Sequence, residues 1–141
     1  MQRTIKLLKE KNTYLERFYE INESELSNFA NRNFDGLEGF YQTRDSLLEL
    51  IRDIDGLIDV ENRGPNDHLE PSQATKTEIE LLLKEKTQWV KAILAQDLHI
   101  LSSVEKEKSS IITELRATKR AKKVVGAYHS GAQQVQLDEE A

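Results

Sequence analysis

The sequence contains no cysteine, two prolines, six glycines and a single tryptophan. Without cysteine the chain can form no disulfide and perform no thiol chemistry, which is typical of a cytosolic protein. So little proline and glycine allows long uninterrupted helices. No apolar run approaches the roughly 20 residues that a membrane-spanning helix needs. The N-terminal residues also lack the apolar core of a secretory signal, so we expect a cytoplasmic location without membrane insertion.

The charge and the apolar content of the chain further restrict the classes of function and fold that it can have. The 20 basic and 25 acidic residues give a net charge of −5, which argues against non-specific nucleic-acid binding. Charged residues make up 32% of the chain and hydrophobic residues 38%. This composition favours narrow apolar seams between helices over a thick globular core.

A helical arm is predicted over residues 3–62, because apolar residues recur in steps of three and four. Within the arm, Asn33 is a candidate helix cap and Gly36 weakens helix continuity, so a turn near residues 31–36 is one interpretation. However, Leu26 and Phe29 are followed eleven residues later by Leu37 and Phe40. Because an eleven-residue step keeps one face in register, a continuous or kinked helix is favoured.

A second long helix is predicted over residues 75–125, after a Pro-containing loop at 63–74. Thr75 with Glu78, or Thr77 with Glu80, provides a candidate capping box at its start. Its apolar seam also contains eleven-residue steps, from Ile93 to Val104 and from Val104 to Leu115. Residues 129–141 are predicted to form a disordered tail.

Together these segments predict an all-α fold with residues 1–128 as a single helical domain. The favoured architecture is a long antiparallel helical hairpin resembling a coiled coil, because a short loop joins two arms of similar length. The alternative is a three-helix bundle, formed if the first arm turns back at Asn33–Gly36. In the bundle, the second half of the long helix would be left for a partner.

Two charged residues, Arg44 and Asp97, lie on or beside the apolar seams. In a hairpin closed between residues 62 and 75, Arg44 faces Ile93, and Asp97 lies one turn further along. The pair then forms either a buried ion pair that fixes the register of the helices, a site that reads a partner, or two solvated charges of little consequence.

No pattern indicates catalysis or a bound cofactor. The three histidines, His68, His99 and His129, are far apart and have no companion at metal-ligand spacing. Phosphate-binding loops, nucleophile elbows and dinucleotide fingerprints are also missing from the sequence. We therefore expect a protein that is not an enzyme and that carries no metal or cofactor.

The end of the long helix carries a basic cluster: Arg116, Lys119, Arg120, Lys122 and Lys123. Cations in the last turns complement the negative end of a helix, which is a purely structural interpretation. The functional interpretation is a docking patch for an acidic partner.

Residues 22–51 and 93–131 resemble the flagellar export chaperones of the hook-associated proteins, the FlgN-like family. The similarity lies in a helix, a short junction, a second helix with a basic residue before a Leu-Leu-x-x-Ile run, a long last helix and an aromatic near its end. In this sequence the corresponding residues are Glu25, Leu26, Asn33, Asp35, Leu37, Arg44, Leu47, Leu48, Ile51 and Tyr128.

The resemblance implies a chaperone of type III export that binds an amphipathic segment of an unfolded client, expected to be a hook-associated protein. The client would be escorted to a component of the export gate, for which Tyr128 is the docking candidate. The client-binding residues implied on this chain are Ile100, Val104, Ile111, Leu115 and Val125. The alternative is a structural coiled-coil scaffold or oligomeric adaptor without a client. A homo-oligomer is left open in either case.

Overall fold

The computed structural model describes residues 1–64 and 71–129, with side chains as far as residue 126. Three helices occupy these ranges: α1 (Gln2–Ala30), α2 (Leu37–Arg63) and α3 (Gln73–His129). No strand occurs in the described ranges, so the all-α prediction is confirmed. The sequence predicted a single domain over 1–128, and by contact the chain falls into two compact units, residues 1–100 and 101–141.

The favoured continuous first arm is wrong, because the chain turns between Ala30 and Leu37. The apolar phase carries across the turn because α1 and α2 both present an apolar face to the same core. Gly36, rather than Asn33, is the residue that precedes α2. Asn33 instead accepts a hydrogen bond at Oδ1 from the backbone N–H of Asp35, at 3.1 Å, as asparagine does in turns.

A Schellman motif ends α1 and reverses the chain. The backbone N–H of Asn33 donates to the carbonyl of Asn28 at 2.9 Å, and that of Arg32 donates to Phe29, also at 2.9 Å. Arg32 has a φ of 57°, the left-handed conformation that this motif requires. The rings of Phe29 and Phe34 stack with centroids 4.6 Å apart, which holds the two sides of the turn together.

The long helix begins at Gln73 and is capped by Ser72, not by either predicted box, Thr75 with Glu78 or Thr77 with Glu80. The hydroxyl of Ser72 accepts a hydrogen bond from the backbone N–H of Thr75 at 3.2 Å. This satisfies one of the free N–H groups at the start of the helix. Part of the predicted loop, residues 65–70, and the predicted tail from residue 130 onward lie outside the described residues.

In the first unit, α1 and α2 form an antiparallel pair. Arg3, at the start of α1, approaches Glu61, at the end of α2, with Nε and Oε2 3.4 Å apart. Two turns further along α1, the ammonium of Lys11 contacts the carboxylate of Asp55 at 2.5 Å. The contacts therefore move towards the N-terminus of α2 as they move towards the C-terminus of α1.

The part of α3 up to residue 100 runs parallel to α1. Lys9 and Glu78 form an ion pair with Nζ and Oε1 3.3 Å apart. The side-chain amide of Asn12 donates to the backbone carbonyl of Leu82 at 3.1 Å. Both contacts advance in the same direction along the two helices, so α3 is parallel to α1. Since α2 is antiparallel to α1 and all three helices share one buried cluster, residues 1–100 form a three-helix bundle. The bundle alternative is therefore correct for this unit.

Each of the three helices contributes to the centre of this bundle. The buried cluster consists of Leu15, Phe18, Leu47 and Ile93, which come from α1, α2 and α3. Partly buried aromatic and aliphatic side chains surround it: Tyr14, Tyr19, Ile21, Ile51 and Trp89. The rings of Tyr19 and Trp89 tilt against each other with centroids 5.5 Å apart, which joins α1 to α3.

The second unit contains the remainder of α3, from residue 101 to its end at His129. From residue 111 to residue 125 every side chain is exposed. No helix in the described part of the chain is both long enough and apolar enough to cross a membrane.

Candidate partner-binding surface

The six residues that the sequence assigned to partner binding differ in their exposure. Ile100 is only 2% exposed, so it belongs to the core of the first unit and is not available to a partner. Val104 is half-buried. The side chain of Tyr128 lies outside the described residues. The remaining three are exposed: Ile111 (49%), Leu115 (59%) and Val125 (53%).

Two further exposed residues, Leu101 (58%) and Ile112 (41%), were missed by the sequence reasoning. At about 100° per residue, they lie within the same arc of the helix as Val104, Ile111 and Leu115. We call these five residues the α3 stripe. Eleven-residue steps identified only part of it, whereas a projection of the helix around its axis would have included all five. Val125 lies outside this arc.

Basic residues follow the α3 stripe directly. Residues 101–129 contain seven lysines and arginines against three glutamates, a net charge of +4, although the whole chain carries −5. Beyond residue 115 the described helix has no acidic residue. Lys119 and Lys122 continue the arc in which Leu115 lies. The surface thus changes from apolar to strongly basic along one face of the helix.

The structure brings Arg44 and Asp97 together between α2 and α3. Nη2 of Arg44 donates to Oδ1 of Asp97 at 2.9 Å, with side-chain exposures of 15% and 37%. The guanidinium also lies over the ring of Phe18, 4.8 Å from its centroid, and over that of Phe40 at 5.3 Å. Arg44 is therefore held by rings as well as by a charge, and its pairing with Asp97 joins α2 to α3.

A polar layer crosses the bundle beside this pair. Asn22 is fully buried, and its side-chain amide donates to Oε1 of Gln96 at 2.9 Å. The amide of Gln96 in turn donates to Oε1 of Glu23 at 2.9 Å and to the backbone carbonyl of Tyr19 at 3.1 Å. The negative charge of Glu23 raises the pKa of the Tyr19 hydroxyl.

The polar layer favours one alignment of α3 against α1, because any other alignment costs free energy. A shift of α3 by one turn would separate Gln96 from Asn22 and leave buried amides without partners, which costs about 1–3 kcal/mol for each group. The Oδ1 atoms of Asn12 and Asn22 already have no hydrogen-bond partner among the described residues. Sequence reasoning missed Gln96 on the seam of α3. The steps from Trp89 to Ile93, Gln96 and Ile100 would have placed it there.

Comparisons with protein-family models, curated proteins and solved structures find no match. The resemblance to the FlgN-like family therefore rests on the sequence pattern alone. Among the residues that the structure describes, no group of three His, Asp or Glu side chains is placed to hold a metal ion. The described features that suit recognition of another molecule are helical faces, and the α3 stripe is the most exposed apolar one in the second unit.

Proposed function

We propose that this chain is a non-enzymatic cytoplasmic chaperone of type III export. It binds an amphipathic helical segment of an unfolded client, and the family resemblance points to a hook-associated protein. The observation that carries the proposal is the α3 stripe, a row of five large aliphatic side chains on one helical face, four of which are exposed.

The physical argument is complementarity between two amphipathic helices. A client that must stay unfolded for export exposes its own apolar stripe, which aggregates unless it is covered. Packing it on α3 buries both stripes, in the way that amphipathic helices commonly recognise a partner.

The expected affinity is moderate. The half-exposed side chains of the stripe and their counterparts on a client would contribute about 6–12 kcal/mol of apolar burial. Part of this is offset by the loss of freedom on association, so a dissociation constant in the micromolar range is expected. Such an affinity suits a chaperone, because the client must be released at the export gate.

A titration with a client peptide tests the proposal. The probe is a synthetic peptide that spans the amphipathic terminal segment of the hook-associated protein from the same genome. We expect saturable binding in the micromolar range by calorimetry, with a gain of helix by circular dichroism. The control is a scrambled peptide of the same composition without helical apolar spacing. It should bind at least about tenfold more weakly. Equal binding of both peptides, or of neither, would contradict the proposal.

A further inference from the structure

Helix α2 exposes more apolar surface than a solvated helix face requires. Five large side chains of α2 are between 39% and 68% exposed: Tyr41, Leu48, Leu50, Leu57 and Val60. Tyr41 and Leu48 lie three residues before and four residues after Arg44, so they flank that side chain along one side of the helix. These residues are separate from the α3 stripe and are not used by the proposed function.

An acidic row lies between these apolar residues. Glu38, Asp45, Glu49 and Asp53 follow steps of seven, four and four, which places them on one face of α2. All four are exposed, and none forms an ion pair with a residue that the structure describes. The other acids of α2 differ, since Asp55, Asp59 and Glu61 each pair with a basic side chain.

The charge of α2 is the opposite of the charge on the second unit. Residues 37–63 contain seven acidic and three basic residues, a net charge of −4. Residues 101–129 contain seven basic and three acidic residues, a net charge of +4. Both surfaces also place the charged row beside exposed aliphatic side chains. The segments have similar lengths, 27 residues in α2 and 29 in residues 101–129.

From this match we infer that α2 is the docking site for residues 101–125 of a second copy of the same chain. Arg116, Lys119 and Lys123 of one copy lie against the acidic row of the other. The α3 stripe lies against the exposed apolar residues of α2. Every copy carries both surfaces, so two copies that exchange them reciprocally form a closed dimer.

The dimer covers the α3 stripe when no client is bound. This consequence rests on the proposed function, since client and second copy then compete for the same residues. Self-association would keep the exposed apolar surface from aggregating, and client binding would dissociate the dimer.

Charge reversal tests the dimer, with sedimentation velocity from about 1 to about 100 µM as the measurement. The wild type should pass from monomer to dimer over this range. Its dissociation constant should rise at least about tenfold between low and high salt, because exposed charges are screened. Asp45→Lys with Glu49→Lys in α2 should leave a monomer, and so should Lys119→Glu with Lys123→Glu in α3.

An equimolar mixture of the two variants provides the decisive experiment. Each variant alone opposes like charges, whereas the mixture places basic rows against acidic rows at both contacts, so dimers should return. Circular dichroism confirms that each variant is folded. A wild type that stays monomeric at all these concentrations, or an α2 variant that dimerises as tightly as wild type, would overturn the inference.

The same α2 variant separates this inference from the proposed function. Its α3 stripe is unchanged, so it should still bind the client peptide with at least the affinity of the wild type. Loss of the dimer with client binding retained supports both proposals. If the dimer forms as inferred but no client peptide binds, the proposed function fails and the dimer stands.

Discussion

Asn22→Asp is expected to lower the free energy of unfolding of the first unit by about 3–5 kcal/mol at neutral pH. Asn22 is fully buried, and its neighbour Gln96 already donates to the carboxylate of Glu23. The substitution keeps the shape of the side chain but places a second negative charge in this layer. For a domain of this size the loss corresponds to a fall in melting temperature of more than about 12 °C.

The pH dependence distinguishes this mechanism from a simple packing defect. Burial and the Glu23 carboxylate raise the pKa of the introduced carboxyl in the folded state above its unfolded value of about 3.9. The folded state therefore holds the proton more tightly than the unfolded state. The deficit relative to wild type should be absent below that value. It should grow as the pH rises, until the folded-state pKa is passed.

Asn33→Asp is the matched control for this prediction. Asn33 is exposed, and the new carboxylate can still accept the hydrogen bond from the backbone N–H of Asp35. We expect a change in melting temperature of less than about 3 °C. Thermal unfolding of both variants between acid and neutral pH provides the measurement. A pH-independent loss in Asn22→Asp would show that charge in the polar layer is not the cause.

Ile111→Asp combined with Leu115→Asp is expected to weaken client-peptide binding at least about 100-fold. The two side chains are 49% and 59% exposed, so the free protein loses little packing when they are replaced. In the complex, however, both carboxylates would be buried against the apolar stripe of the client. The melting temperature of the first unit should stay within about 2 °C of wild type, because neither residue belongs to that unit.

Thr113→Asp combined with Ala117→Asp is the control for charge alone. These residues have the same four-residue spacing and are also exposed, but they lie roughly 160° away from Ile111 and Leu115 around the helix. This variant should bind the client peptide within about threefold of wild type. Equal weakening by both double variants would show that added negative charge, rather than loss of the stripe, disrupts binding.

The sequence predicted the helices better than the turn that arranges them. Apolar periodicity located the helical residues, as one arm over 3–62 and a second helix over 75–125, because an amphipathic helix shows its buried face directly. It could not decide between a straight arm and a turn at residues 31–36. The steps of eleven from Leu26 to Leu37 and from Phe29 to Phe40 suit both arrangements. Backbone hydrogen bonding at Asn33 and the left-handed φ of Arg32 determine the outcome.

Contacts between helices were predictable only where one side chain is long and charged. The pairing of Arg44 with Asp97 could be inferred from the spacing of an antiparallel hairpin. The inference holds in the bundle because α2 is antiparallel to α3 there as well. The bond from Asn22 to Gln96 depends on the register of two parallel helices that the favoured hairpin did not contain. Ile100 was assigned to the partner surface for a related reason, since periodicity does not show where the core ends.

Hydrogen exchange of residues 101–125 tests the central claim, that this part of α3 is an uncovered client-binding surface. The measurement uses protein dilute enough to be monomeric, with and without a saturating client peptide. In the free protein these amides should exchange faster than those of α1, because most side chains of this segment are exposed. Client binding should slow them at least about tenfold and leave α1 unchanged. Protection equal to that of α1 in the free monomer, or no change at saturation, would contradict the claim.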